Sequence, residues 1–116
     1  VVGAHEATVI EVLLASALLC FEGACHPVLV GKFTPAGEYQ LDHQLTRLPG
    51  YGGDILTFKE TARERYAIHR TWPGRERLYA APTAARKVTN GCINVQPALY
   101  DRLVASGVTQ LTVRPE

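Results

Sequence analysis

The sequence predicts a mostly β domain with one clear α-helix, on three observations. Its 116 residues can enclose one hydrophobic core but not two, so residues 1–116 read as a single domain. Short β-type runs recur before residue 96, separated by Gly- and Pro-bearing turns. One segment alone, opened by Pro97 and closed by Gly107, carries apolar residues at helical spacing.

Residues 8–21 are rich in Val, Ile, Leu and Ala with no charge after Glu11, and periodicity by itself does not separate a strand pair from a short helix there. The punctuation downstream favours strands. Gly23 interrupts, residues 27–30 form a β-type run, and Gly31-Lys32-Phe33-Thr34-Pro35-Ala36-Gly37 is a turn that residues 38–41 leave as a strand. His43 falls in a polar loop. Pro49-Gly50-Tyr51-Gly52-Gly53 reads as a long surface loop, either the cover of a site or a plain connector. Residues 55–58 and 66–68 are short strands linked by the charged stretch 59–65, and Trp72-Pro73-Gly74 opens a loop that runs to Val88. Pro97 suits a helix N1 position, Leu99, Tyr100, Leu103 and Val104 form a stripe, and Gly107 ends a ten-residue helix. Residues 111–113 close the domain as a strand.

An apolar share of 47%, a charged share of 20% and no low-complexity stretch describe a folded chain, not a disordered one. The formal charge of +1 is unevenly distributed. Eight basic residues (Lys59, Arg63, Arg65, Arg70, Arg75, Arg77, Arg86, Lys87) stand against three glutamates in residues 59–87, a net +5. This is either a surface that attracts a carboxylate-rich substrate or a solvated face. Nucleic acid is set aside, because no binding motif with interleaved aromatics accompanies the charge. The most apolar run, residues 12–20, is nine residues long against the roughly 20 of a membrane-spanning helix, so no span is expected. Glu6 and Glu11 precede it where a signal peptide carries basic residues. The start without Met fits a mature or trimmed domain whose export signal, if any, has been removed.

Of the three cysteines, Cys20, Cys25 and Cys92, one is left over if two pair. A reversal at Glu22-Gly23-Ala24 would bring Cys20 and Cys25 face to face as a disulfide. Two buried thiols are the alternative. A metal site with His26 is a third, which no second ligand pair at zinc-finger spacing supports.

A free cysteine is chemically useful when its thiolate is populated and backbone donors face the developing negative charge. Gly91-Cys92-Ile93, just before the helix, offers such a backbone, and Gly91 has no Cβ to keep a substrate away. Of the histidines, His5 is N-terminal, His26 precedes Pro27 and His43 lies in its polar loop. His69 closes the apolar strand Tyr66-Ala67-Ile68 upstream of Cys92. A cysteine and a histidine in one chain mean little by themselves; their neighbours carry more.

Thr89-Asn90-Gly91-Cys92-Ile93-Asn94 resembles the signature of the L,D-transpeptidase (YkuD-type) catalytic domain: Ser or Thr, usually His, Gly-Cys, an apolar residue, then Asn or Arg. Val95-Gln96-Pro97 is similar to the Asn-Val-x-Pro segment that leads into the helix in several members. Upstream, Gly31-Lys32-Phe33-Thr34-Pro35-Ala36-Gly37-Glu38-Tyr39 resembles the family's Gly-Lys, Thr-Pro-x-Gly-x-Phe/Tyr turn, and Ile68-His69 its histidine-bearing strand. These ordered motifs span residues 28–103. Asn90 departs from the usual His, Arg70 from the Gly that commonly follows the catalytic His, and the 19 residues between His69 and Thr89 make a longer loop than usual.

The resemblance implies a β-sandwich or barrel-like L,D-transpeptidase fold with its helix after the nucleophile. It also implies a cysteine acyltransferase that needs no cofactor and no metal. His69 would deprotonate Cys92, which attacks a peptidoglycan stem tetrapeptide at the carbonyl between an L-centre and the following D-residue. The amides of Gly91 and Cys92 would hold the oxyanion, with Thr89, Asn90 and Asn94 fixing the turn around them. Arg70, Arg86 and Tyr51 are the expected substrate contacts. A covalent carbapenem adduct and a periplasmic or otherwise extracytoplasmic location follow from the same resemblance. The alternatives on this scaffold are an L,D-carboxypeptidase, a D-amino acid exchange enzyme or antibacterial effector, and a non-catalytic wall-binding module. A cytosolic cysteine peptidase of another fold ranks last, lacking a helix with the cysteine at its N-terminus.

Overall fold

A computed structural model describes residues 9–116; His5 and Glu6 lie outside the described residues. The apolar N-terminal stretch is the strand pair expected of it: β1 (Val9–Leu13) and β2 (Leu18–Phe21) run antiparallel, and β3 (Ala24–Pro27) folds back on β2. Ile10, Val12, Leu19 and Phe21 are buried at alternate positions, the period of a strand covered on one face. Register places Cys20 opposite Cys25, and the two form a disulfide. Neither cysteine is buried. That settles the open choice among disulfide, buried thiols and metal site, since neither sulfur remains free to bind a metal.

Next come β4 (Val30–Gly31), β5 (Gly37–Gln40), β6 (Asp42–Leu45), β7 (Asp54–Glu60) and β8 (Arg65–Arg70). His43 is therefore in a strand and not in a loop. Its neighbours Asp42 and Gln44 gave the segment no apolar alternation, and pairing with β7 is what makes it a strand. The expected linker 59–65 shrinks to a turn, because β7 and β8 pair as far as Glu60 and Arg65. The loop after Trp72 contains two short 3-10 segments, Glu76–Ala80 and Thr83–Arg86, before β9 (Lys87–Thr89) and β10 (Ile93–Val95).

Helix α1 (Pro97–Ser106) starts with Pro97 in its first turn and ends at Gly107, whose φ of 72° is left-handed. Pro tolerates the missing amide at a helix start, and Gly adopts the terminating conformation without a Cβ clash. The last strand, β11 (Gln110–Arg114), inserts parallel to β1 and antiparallel to β5.

The result is a five-stranded sheet ordered β3-β2-β1-β11-β5, a four-stranded sheet ordered β10-β8-β7-β6, and a small parallel pair, β4 with β9. The mostly β fold with its helix after Cys92 is the one expected. One core serves both sheets: Ile10, Val12 and Leu111 from the first, Leu56, Ile68 and Ile93 from the second, Leu99, Tyr100 and Leu103 from α1. Each such large apolar side chain contributes roughly 1.5–3 kcal/mol on burial, which holds the site-bearing sheet in place. Among the described residues no helix is long and apolar enough to cross a membrane.

Candidate active site

Parallel pairing of β10 with β8 sets Ile93 beside Ile68 and Asn94 beside His69. Ile68 and Ile93 point into the core. Alternation then turns His69, Ala67 and Asn94 to the other face, and Cys92, two residues before Asn94, to that same face. Cys92 and His69 line two adjoining clefts there. Cys92 is the one free cysteine among the described residues and is partly exposed.

The turn bearing Cys92 is built by contacts between segments far apart in sequence. The Thr89 hydroxyl donates to the Cys92 carbonyl at 2.6 Å and accepts from the Gly91 amide at 3.2 Å. Gly31 packs so closely that a Cβ there would lie 2.1 Å from the Thr89 carbonyl oxygen. Gly31 is held in turn by Thr34, whose Oγ1 accepts from the Gly31 amide at 2.9 Å, and the Tyr39 hydroxyl closes the same turn onto the Ala36 carbonyl at 2.9 Å. Tyr39 packs at a tilt against Phe58 and Phe58 against Tyr66, whose ring would lie 2.6 Å from a Cβ on Gly91. Gly91 also has φ +140°. Its lack of a side chain thus makes room for Tyr66, where room for a substrate was expected. Its amide, expected at the oxyanion, is engaged by Thr89.

His69 is 3% exposed, with Nδ1 2.8 Å from the Arg70 carbonyl oxygen and its ring 4.5 Å edge-on from that of Tyr51. Burial lowers its pKa; the bond to Arg70 acts the other way, and the charge of Arg75 lowers it further. Burial raises the Cys92 pKa, the backbone of Ala67 opposes that rise and Glu64 adds to it. Both directions favour the uncharged forms at neutral pH, a thiol that donates to the Arg65 carbonyl at 3.8 Å and a neutral imidazole in the same clefts. The populated thiolate expected of an activated cysteine is not its resting state.

Tyr51 lines both clefts, and its hydroxyl pKa is raised by burial and by Cys92. Asn90 is exposed and lines the polar cleft. Asn94 is 2% exposed and pairs with Leu29 through its backbone, 2.9 Å each way, while its side-chain oxygen has no partner among the described residues. Thr89, not Asn94, supplies the side-chain bonds that fix the turn.

The two arginines expected at the substrate are used by the fold. Arg70 binds Asp54 at 2.6 Å and Asp101 at 2.9 Å, donates to the carbonyls of Tyr51 and Gly52, and lies over the Tyr100 ring. Arg86, 7% exposed, donates to the carbonyls of Ala81, Ser16 and Ala17. Neither lines the clefts. Sequence reasoning missed Glu64, Arg65 and Arg75, which do. Their signal was the basic stretch itself, which does not say which of its arginines lack acidic neighbours.

The larger cleft, about 390 Å³, is walled by Leu48, Ile55 and Ala67 and rimmed by residues 60–65. The second, about 300 Å³, is more polar and includes Trp72, Arg75, Asn90 and Asn94. Cys92 lies where they meet. A thiol at such a junction can face one group on each side.

This architecture is that of the L,D-transpeptidases. Solved structures that share it include the L,D-transpeptidase of Xylanimonas cellulosilytica, with TM-score 0.61 and 16% identity over 94% of this chain and 61% of that one. The Ldtfm–avibactam carbamoyl enzyme has TM-score 0.68 and 19% identity over 96% of this chain and 50% of that one. The L,D-transpeptidase from Mycobacterium smegmatis has TM-score 0.57 and 17% identity over 93% and 58%. At these identities the likeness is one of fold, and this chain spans 50% to 61% of the length of those three. No protein-family model matches the sequence, and no curated protein matches it.

Proposed function

We propose that this chain is a peptidoglycan-acting cysteine acyltransferase of the L,D-transpeptidase type, with Cys92 as nucleophile and His69 as its base. The observation that carries the reading is the register of β8 and β10, which turns the free thiol and a buried, oriented imidazole to one face of the sheet within shared clefts. His69 takes the Cys92 proton as sulfur attacks the carbonyl carbon between the L-centre and the D-residue of a stem tetrapeptide. The Cys92 amide holds the oxyanion. Collapse breaks the C–N bond, His69 returns the proton to the departing amine, and a thioester and a free D-amino acid result. An acceptor amine then attacks the thioester, gives its proton to His69, and leaves a new amide and the free thiol. Water in place of the amine gives an L,D-carboxypeptidase. Peptidoglycan lies outside the cytoplasm, and the Cys20–Cys25 disulfide fits the same oxidising setting.

The test is intact-protein mass spectrometry after exposure to a carbapenem, together with D-amino acid release from a stem tetrapeptide. One addition, lost in Cys92→Ala, and release of the D-residue are expected. Neither adduct nor release would exclude the enzyme and favour a wall-binding module. A cross-linked dimer among the products identifies transpeptidation, and tripeptide alone identifies hydrolysis.

A further inference from the structure

We propose that Arg75 reads the free carboxylate of the departing D-residue, so that the polar cleft is the leaving-group side of Cys92. The inference rests on the function proposed above and names the residue that selects the substrate's end. Arg75 is half-buried in the cleft that also contains Cys92, His69 and Trp72. It enters none of the ion pairs among the described residues. Of the other cations near the site, Arg65 pairs with Glu60, Arg70 with Asp54 and Asp101, and Arg86 bonds to three carbonyls. Arg63, which also enters none of these ion pairs, is exposed on the rim of the larger cleft, so among the described residues that line the polar cleft Arg75 is the cation outside an ion pair.

Reach agrees with this assignment. In a stem tetrapeptide the terminal carboxylate is one residue beyond the scissile carbonyl, and an extended residue spans about 3.3–3.6 Å. The cation that reads it must share a cleft with the nucleophile, as Arg75 does. The loop that carries Arg75 is anchored on both sides of the cleft wall. Thr71 binds the Tyr79 hydroxyl and, at 2.8 Å, the Val95 carbonyl, and Arg86 fastens the far end to the β1–β2 turn. An anchored loop lowers the backbone share of the ordering cost when its arginine meets a carboxylate. The larger cleft sets Glu60 and Glu64 against Arg63 and Arg65, whereas the polar cleft sets Glu64 alone against Arg65 and Arg75, which leaves an excess of positive charge on the polar side.

The experiment compares release of the terminal residue from a tetrapeptide with a free C-terminus and from the same peptide capped as the amide, using wild type, Arg75→Ala and Arg75→Lys. Wild type should prefer the free acid by about ten- to a hundredfold in kcat/KM, the range of a charge-assisted hydrogen bond. Arg75→Ala should bring the ratio close to one through KM, and Arg75→Lys should restore part of it. Alkylation of Cys92 by neutral iodoacetamide checks that the variants keep the site. A wild type that releases the residue with equal preference, or an Arg75→Ala enzyme that keeps the preference, overturns this inference and leaves the proposed function standing. A wild type that releases neither overturns both.

Discussion

His69 Nδ1 lies 2.8 Å from the carbonyl oxygen of Arg70, the residue that follows it. A carbonyl only accepts, so Nδ1 carries the proton and the neutral ring keeps its free lone pair on Nε2. This bond selects the tautomer a general base needs, and it comes from the backbone, with no carboxylate involved.

The resting protonation of the pair follows from burial. With the thiol raised and the imidazole lowered, the rate of Cys92 alkylation by iodoacetamide should climb continuously from neutral into alkaline pH. A plateau already present below pH ~6 would show a preformed thiolate–imidazolium pair and contradict the structure. His69→Ala should slow D-residue release by about 100- to 10,000-fold, the usual share of a general base. Loss of release without loss of the folded state is the outcome to look for by circular dichroism.

Arg70 and Asp54 tie the loop bearing Tyr51 to the helix. Arg70→Ala leaves the partly buried Asp54 without its closest partner, so chemical denaturation should show a loss of about 2 kcal/mol. Unchanged stability would mean the network is ornamental. Burial alone would raise the Asp54 pKa, but bonds from His43, Arg70 and Tyr100 outweigh it and hold the carboxyl below its ordinary value. A depressed folded-state pKa contributes stability that is complete above the ordinary aspartate value of about 4 and fades as pH falls through the folded value. Asp54→Asn should flatten that acid limb.

Gly91→Ala tests the turn. The added Cβ meets Tyr66 at 2.6 Å and the backbone is already at φ +140°, so strain of about 1–3 kcal/mol is expected. Carbapenem addition should slow by at least about tenfold. An alanine variant that acylates as fast as wild type would show that the turn tolerates displacement.

Thiol titration checks the cysteines. The folded chain should present one reactive thiol and the reduced, unfolded chain three. Reduction of so short a loop should cost about 2 kcal/mol and leave Cys92 alkylation unchanged, because the disulfide sits on the edge of the five-stranded sheet, away from the clefts.

Helix α1 was readable because its limits are local: Pro97 and Gly107 act on their own backbone dihedrals, and the apolar stripe repeats within the segment. The turn from Gly31 to Tyr39 was readable for the same reason, closed by bonds that reach at most four residues. His43 was not, since a polar strand has no signature until a partner supplies its ladder.

The site divides along the same line. The sequence by itself determined that Cys92 sits in a glycine turn before a helix, that His69 ends an apolar strand, and that the arginines concentrate between them. Only the tertiary structure decided which arginine is available. Arg70 meets Asp101 across 31 residues and Arg86 meets Ser16 across 70, which holds both side chains out of the clefts, while Arg75 lines the polar one outside any ion pair among the described residues. Glycine turns and strand ends are properties of neighbouring dihedrals, whereas the fate of a long charged side chain depends on which distant acceptors the fold brings within about 3 Å.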